Sequence, residues 1–208
     1  MISARYIVFE GIDCAGKSTQ MRRLTDKLRE LDVTPVELFE PTYGPEGKAI
    51  RQFLKSKEPP PVERQIEMFT LDRRFHVRSR IRPLLALMKR YSQFAILQHR
   101  YYLSAPAYQG GDRADQIKLL RSQQRIAPRP DLVILLDVSI DDALRRLQAR
   151  KKSRHVFETR RFLSEVRRRY LDLASDRAES IVVINGSGTI DRVAKRVWDA
   201  LSAKTPTH

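Results

Sequence analysis

The sequence predicts an α/β fold in which helices cover both faces of a five-stranded parallel sheet. Five short apolar runs alternate with segments whose apolar residues recur every three or four positions, which is the helical period. Runs such as LVILL at 132–136 are apolar throughout. That pattern is typical of strands buried on both faces, as parallel strands joined by helices are. Residues 1–208 are predicted to form a single domain.

The predicted strands are short, and helical segments separate them. An amphipathic stretch over 62–89 is predicted to be interrupted at Pro83, because a proline ring removes a helical hydrogen bond. Ser139 and Asp142 resemble a capping box at the start of the helix that follows the fourth strand. The strands are YIVFE (6–10), VELFE (36–40), FAILQ (94–98), LVILLDV (132–138) and IVVIN (181–185).

The composition indicates which kinds of binding partner and which cellular compartment suit the chain. Forty Lys and Arg against twenty-five Asp and Glu leave a formal charge of +15, which favours anionic partners, although a solvated basic surface gives the same total. The single cysteine, Cys14, excludes an internal disulfide and agrees with a reducing compartment. No apolar run is long enough for a membrane span, and residues 1–10 lack a secretory apolar core. A cytoplasmic protein with no membrane partner is expected.

The first strand runs into GIDCAGKST, which satisfies the P-loop pattern G-x-x-x-x-G-K-[ST] between a strand and a helix. Backbone N–H groups of such a loop, together with the helix N-terminus, bind phosphate. Lys17 is expected to reach the β- and γ-phosphates of ATP, and the Ser18 hydroxyl to ligate Mg²⁺. Cys14 is interpreted as a small residue that fits the turn. The expected ATP site comprises Gly11, Asp13, Cys14, Ala15, Gly16, Lys17, Ser18 and Thr19.

Five segments, taken in order, resemble thymidylate (dTMP) kinases across nearly the whole chain. They are FEGIDCAGKSTQ, EPTYGPEGKAIR, FTLDRRFH, HRYYLSAPAYQG and PRPDLVILLDV. The resemblance implies a P-loop NTPase-type nucleoside monophosphate kinase with ATP and Mg²⁺ as cofactors. Such an enzyme transfers a phosphoryl group from ATP to dTMP, giving dTDP and ADP. The resemblance also implies a homodimer.

The same resemblance assigns the acceptor site residue by residue. Arg100 would grip the acceptor phosphate, Phe69 would stack on thymine, and Arg73 would contact the edge of the base. Phe69 and Arg73 are four residues apart, which places them on one helical face, although Phe69 also fits a core position. The remaining expected contacts are Asp13 to a sugar hydroxyl, Ser104 near the base, Tyr108 against the deoxyribose and Gln109 nearby.

A basic segment, RKKSRHVF at 150–157, resembles the lid that closes over ATP in this family. Arg150 and Arg154 are expected to approach the transferred phosphoryl group and to stabilise its charge, as an arginine finger does. The alternative interpretation of the surrounding basic run is a solvated face with cations favoured at helix C-termini.

Two positions depart from the family pattern. His99 stands where relatives usually carry an aspartate that organises Mg²⁺, and Mg²⁺ prefers oxygen ligands. No general base is lost, since a phosphate monoester with a second pKa of about 6 is already largely ionised. Weaker metal organisation and reduced activity are therefore expected, with Glu10 or Asp13 compensating through water.

Phe39 and Thr42 flank Glu40-Pro41 where relatives often carry an arginine, so Arg100, with Arg73 or Arg51, is expected to hold the acceptor phosphate.

Two alternatives to dTMP phosphorylation stay open. The first is a P-loop protein of the same fold that uses another nucleotide acceptor, or that has a weakly catalytic binding or regulatory role. The second is a nucleic-acid-associated protein that exploits the +15 charge. The second is not favoured, because the basic run lacks the interleaved aromatic residues that stack on bases.

Overall fold

The computed structural model describes residues 4–56, 58–149, 159–175 and 180–203. Within them, the five strands form one parallel sheet in the order β2-β3-β1-β4-β5, as the sequence predicts. After β1 the chain lays β2 at one edge, inserts β3 between β2 and β1, and then adds β4 and β5 on the other side. The strands are β1 (Tyr6–Glu10), β2 (Thr34–Phe39), β3 (Phe94–His99), β4 (Leu132–Asp137) and β5 (Ile181–Asn185).

The strand ends differ from the sequence prediction by one or two residues. The second strand begins at Thr34 and includes Pro35, which an edge strand tolerates because one row of its N–H groups has no ladder partner. It ends at Phe39, and the next residue, Glu40, directs its carboxylate to the buried side chains of Arg73 and His76. The third strand extends to His99, and the fourth ends at Asp137.

Every residue of β1 is buried, which requires cover on both faces of the sheet. Helix α1 packs against β1, β2 and β3, whereas α8 packs against β4 and β5. No helix in the described part of the chain is long and apolar enough to cross a membrane. The helices are α1 (Lys17–Arg29), α2 (Pro45–Phe53), α3 (Val62–His76), α4 (Arg82–Arg90), α5 (Ser104–Gln109), α6 (Arg113–Gln124), α7 (Ile140–Ala149), α8 (Arg160–Ala174) and α9 (Ile190–Ala203).

The predicted interruption near Pro83 is confirmed as a change of helix type. A five-residue π-helical segment, Val77–Ile81, joins α3 to α4, and Pro83 lies in the first turn of α4, where its missing N–H costs least. The predicted cap before α7 is confirmed in part. Ser139 Oγ accepts a hydrogen bond from the Asp142 amide at 3.1 Å, but the Asp142 carboxylate accepts one from Ser187 Oγ.

The register brings the carboxyl ends of β1, β2 and β3 to one edge of the sheet. Phe9 pairs with His99, and His99 pairs with Phe39 on the other side. Residues that directly follow these strands therefore converge beside β1, where the strand connections change direction. In open parallel sheets that crevice is the usual ligand site.

Candidate active site

The loop between β1 and α1 has the conformation that a phosphate-binding loop requires. Gly11 has a φ of +138°, and a Cβ at this position would lie 2.5 Å from the Leu136 carbonyl oxygen, so only glycine fits. Gly16, with a φ of +101°, forms the left-handed cap that starts α1 at Lys17. Cys14 is buried in the turn with a φ of +61°. This agrees with its interpretation as a small turn residue.

Lys17 is buried and folded back onto this loop. Its ammonium group donates to the Gly11 carbonyl at 2.9 Å and to the Ile12 carbonyl at 2.7 Å. Burial lowers the pKa of Lys17 to about 7; Arg100 acts in the same direction, while Asp13 opposes them. A polyphosphate in the loop would supply the anionic partner that restores the charge of Lys17.

Arg100 immediately follows β3 and has a φ of +63°, so the chain turns sharply where the guanidinium enters the cleft. The guanidinium donates to Asp13 Oδ1 at 2.6 Å and to the Tyr108 hydroxyl at 2.8 Å. It also donates to Ser104 Oγ at 3.3 Å and to the Tyr170 hydroxyl at 3.4 Å. The structure therefore brings three further residues that the sequence assigns to the acceptor site around Arg100, and it adds Tyr170.

Asp13 joins the two halves of the site. Burial raises its pKa, but Arg100 and Lys17 outweigh this effect and hold the pKa at about 2. Asp13 is bonded to Arg100 and lies close enough to Lys17 for the two groups to influence each other's pKa, so both cations lie near this one carboxylate. A kinase needs this arrangement, with the donor phosphates at one cation and the acceptor phosphate at the other.

Glu10, the last residue of β1, is buried beneath this cluster. It accepts hydrogen bonds from the Tyr101 amide at 2.8 Å, from Ser104 Oγ at 2.7 Å and from the Tyr170 hydroxyl at 2.8 Å. Burial raises the pKa of Glu10, while Arg100 acts to lower it. Glu10 thus orients the side chains around Arg100. Sequence reasoning missed Tyr170, which lies within a helix and outside every motif.

A cavity of about 260 Å³ adjoins Arg100. All seven residues that the sequence assigns to acceptor binding lie on its wall. Phe69 is half-buried and meets Phe53 edge-on, with ring centroids 6.1 Å apart, so it is not enclosed in the core. The lining consists of Asp13, Pro41, Leu54, Phe69, Arg73, Arg100, Ser104, Ala105, Tyr108 and Gln109.

Arg73 lies at the cavity wall with almost all of its surface buried. Its Nε and Nη2 donate to Glu40 Oε2 at 3.0 and 2.7 Å, Nη2 also donates to the Tyr101 carbonyl at 2.9 Å, and Nη1 donates to Gln123. Because Glu40 neutralises this charge, Arg73 is better suited to a neutral base edge than to a phosphate. Arg51 donates to the Pro41 carbonyl and lies over the Tyr43 ring.

The neighbourhood of His99 is a feature that sequence reasoning missed. His99 Nε2 lies 3.1 Å from Ser18 Oγ, and the Phe39 ring lies 5.8 Å from the imidazole. Burial, Lys17 and Arg100 lower the pKa of His99 to about 2, so the imidazole is neutral at physiological pH. A neutral imidazole adds no positive charge that would repel a metal ion.

A metal ion in this site would be held mostly by nucleotide oxygens. In the described residues no cluster of three or more His, Cys, Asp or Glu side chains is arranged to hold a metal. Mg²⁺ in kinase sites usually takes one or two protein ligands and substrate phosphates, and Ser18 Oγ is suitably located beside the loop. Glu10 and Asp13, the expected compensating acids, are engaged by other donors.

A further arginine connects the loop to the end of the edge strand β5. Arg146 on α7 donates to the carbonyls of Cys14 and Ala15 at 3.3 Å each, and to the Gly186 carbonyl at 3.0 Å. It thereby ties the P-loop to the segment after β5. Arg150, Arg154 and the expected lid at 150–157 lie outside the described residues.

Comparison with known proteins places this chain in a family. A family model described as thymidylate kinase matches residues 9–197. The thymidylate kinase of Akkermansia muciniphila is 37% identical over 202 residues, covering 97% of this chain and 93% of the relative. That of Desulfotalea psychrophila is 37% identical over 163 residues, 78% of each chain. A probable thymidylate kinase of Archaeoglobus fulgidus is 35% identical over 191 residues, 92% of this chain and 91% of the relative. The chain belongs to the thymidylate kinase family.

Proposed function

We propose that this protein transfers the γ-phosphoryl group of ATP to dTMP, giving ADP and dTDP. The observation that carries the proposal is that Asp13 of the P-loop accepts a hydrogen bond from Arg100 and that both residues line the adjoining cavity. Membership of the thymidylate kinase family supports the same reaction. The donor phosphates would lie in the P-loop, and the acceptor phosphate would lie at Arg100.

On the donor side, the loop backbone and Lys17 bind the polyphosphate. The N–H groups at the start of α1 point towards the loop, and the expected contacts extend from Gly11 to Thr19. Lys17 exchanges its two backbone carbonyl partners for phosphate oxygens. Ser18 would hold Mg²⁺, which when bound neutralises charge on the β- and γ-phosphates. Arg150 and Arg154 are proposed to approach the transferred group from the lid.

On the acceptor side, Arg100 exchanges Asp13 for the phosphate of dTMP, while Asp13 turns to the sugar. Phe69 stacks on the base, and Arg73, fixed by Glu40, donates to its edge. Ser104, Tyr108 and Gln109 complete the wall. Catalysis then consists of positioning and charge stabilisation, because the acceptor is already ionised and needs no general base.

A coupled assay of ADP release tests this proposal. With ATP and Mg²⁺, dTMP should be the best acceptor in a panel that also contains dUMP, dCMP, dAMP and dGMP. Lys17→Met should abolish turnover, whereas Lys27→Met, an exposed lysine of the same helix, should not. Absence of turnover with every acceptor and every divalent ion tried would refute the kinase reading.

A different acceptor is the second candidate, and one observation favours it. No arginine flanks Glu40-Pro41, and Arg73 is neutralised by Glu40, so within the described residues the acceptor phosphate relies mainly on Arg100. The acceptor panel distinguishes this candidate, since another monophosphate would then exceed dTMP in kcat/KM. A gel-shift titration across salt tests nucleic-acid binding, which is expected to be absent.

A homodimer is proposed on the basis of family resemblance. Several large apolar side chains on α3 and α4 are exposed in the single chain, among them Leu71, Phe75 and Leu87. Their burial between two copies would explain their exposure. Sedimentation velocity at micromolar concentration should give a dimer, and Phe75→Glu should shift it to monomer. A wild-type monomer would contradict this proposal.

A further inference from the structure

His99 presents a nitrogen beside Ser18, the residue expected to hold the metal of the proposed ATP site. It is the last residue of β3, hydrogen-bonded strands lie on both sides of it, and its ring lies against Phe39. Its Nε2 atom lies 3.1 Å from the hydroxyl oxygen of Ser18, the expected metal ligand. The imidazole is thus held in place by the sheet with Nε2 directed towards Ser18 Oγ.

The nearby carboxylates have other partners. Both oxygens of Glu10 accept hydrogen bonds from Tyr101, Ser104 and Tyr170 beneath the cluster. Asp13 accepts from Arg100 and from the Tyr108 hydroxyl at 3.1 Å. An ion beside Ser18 therefore meets the imidazole nitrogen of His99 in place of a carboxylate oxygen.

The spacing of the two atoms matches one edge of an octahedral metal shell. Adjacent ligands with bonds of about 2.1 Å around an octahedral ion lie about 3 Å apart. The observed separation of Ser18 Oγ and His99 Nε2 is 3.1 Å. One ion can accordingly bind both atoms with little movement of either, while nucleotide phosphates and water fill the other positions.

Ligand chemistry then determines which ion is favoured. Mg²⁺ is a hard ion that prefers oxygen, whereas imidazole suits first-row transition ions, whose affinities rise from Mn²⁺ through Co²⁺. We infer that His99 Nε2 is a direct metal ligand, and that the nucleotide-bound site selects a divalent transition ion such as Mn²⁺ or Co²⁺ over Mg²⁺. This inference rests on the proposed ATP site and specifies its metal.

Electron spin-echo spectroscopy of Mn²⁺ tests the inference directly. The sample is the full chain with Mn²⁺ and a non-hydrolysable ATP analogue. The wild type should show modulation from a directly bound ¹⁴N nucleus, and protein labelled with ¹⁵N-histidine should show ¹⁵N frequencies instead. His99→Asp should lose both signals. Mn²⁺ that binds with the nucleotide but shows no histidine coupling would overturn the inference, as would absence of Mn²⁺ binding.

A competition experiment gives an independent readout. The affinity ratio of Co²⁺ to Mg²⁺, measured with the same nucleotide analogue, should fall by about tenfold or more in His99→Asp. His99→Gln offers an amide that can still hydrogen-bond Ser18 but supplies no imidazole, so its ratio should fall as well. An unchanged ratio in His99→Gln would mean that His99 only positions Ser18, which overturns the inference. Thermal melts of both variants check that they fold.

The two proposals fail in different ways. If Mn²⁺ binds with nucleotide and shows no histidine coupling while dTMP is still phosphorylated, the metal inference is wrong and the proposed function stands. If no acceptor is phosphorylated with Mg²⁺, Mn²⁺ or Co²⁺, the proposed function fails whatever the spectrum shows. Faster turnover with Mn²⁺ than with Mg²⁺ in the wild type, reversed in His99→Asp, would support both.

Discussion

Binding of ATP should be accompanied by proton uptake at Lys17. In the free protein, burial lowers the pKa of this ammonium group to about 7, and Arg100 adds to the effect. The bound β- and γ-phosphates favour the charged form and return the pKa towards its ordinary value of about 10.4. At a pH between these two pKa values, Lys17 is deprotonated in the free protein and protonated in the ATP complex.

The size of the effect follows from the pKa. At pH 8 a group with a pKa of about 7 is about 90% deprotonated, so binding should take up about 0.9 proton per ATP. At pH 6 the uptake should fall to about 0.1 proton, because Lys17 is then already charged. Isothermal titration calorimetry in buffers of different ionisation enthalpy measures the number, since the apparent enthalpy changes with buffer in proportion to proton uptake.

Lys17→Arg is the matched variant, because guanidinium keeps the positive charge and does not deprotonate in proteins. It should bind ATP with an enthalpy that does not depend on the buffer. Lys27→Arg, at an exposed position of the same helix, should retain the wild-type uptake. Equal uptake at pH 6 and pH 8, or undiminished uptake in Lys17→Arg, would refute the assignment to Lys17.

Three further predictions follow from the same cluster. Tyr170→Phe removes a donor from buried Glu10 and should lower the free energy of unfolding by about 1–3 kcal/mol in urea titrations, whereas exposed Tyr43→Phe should have little effect. Phe69→Ala should raise KM for dTMP by about 5- to 160-fold in steady-state assays, because base stacking contributes about 1–3 kcal/mol, and should leave KM for ATP unchanged. The pKa of Asp13 is lowered to about 2, so its contribution to stability is complete above about pH 4 and is lost as the pH falls towards 2; Asp13→Asn should flatten that part of an acid-unfolding curve.

The fold was accessible from the sequence because burial on both faces makes parallel strands nearly continuous apolar runs. All five strands were therefore located, and motifs at strand ends converged on one cleft. Strand ends were less predictable: the second strand ends before Glu40, which turns to Arg73 and His76, residues of a distant helix. Local propensity contains no information about such a partner.

Contacts between distant segments account for what the sequence did not reveal in the site. Tyr170 reaches Glu10 across 160 positions, and Arg146 reaches the Cys14 carbonyl across 132. Neither side chain belongs to a motif, and each reads as an ordinary helix residue. The departure at His99 was visible, but its 3.1 Å approach to Ser18 depends on the register of β3 beside β1.

Charge balance links these observations to the two kinds of ligand that the site would bind. In the absence of phosphate, Arg100 acts to lower the pKa of Lys17, while Asp13 and Glu10 act to raise it. With aspartate at position 99 the cleft would contain one more negative charge; with neutral His99 it does not. The cleft is thus more attractive to nucleotide phosphates and less attractive to a divalent cation by itself. A metal should therefore enter as its nucleotide complex. The protein should bind Mn²⁺ far more weakly without nucleotide than with nucleotide, and His99→Asp should reduce the difference between these two affinities. Metal binding by the nucleotide-free wild type as strong as in the nucleotide complex would contradict this account.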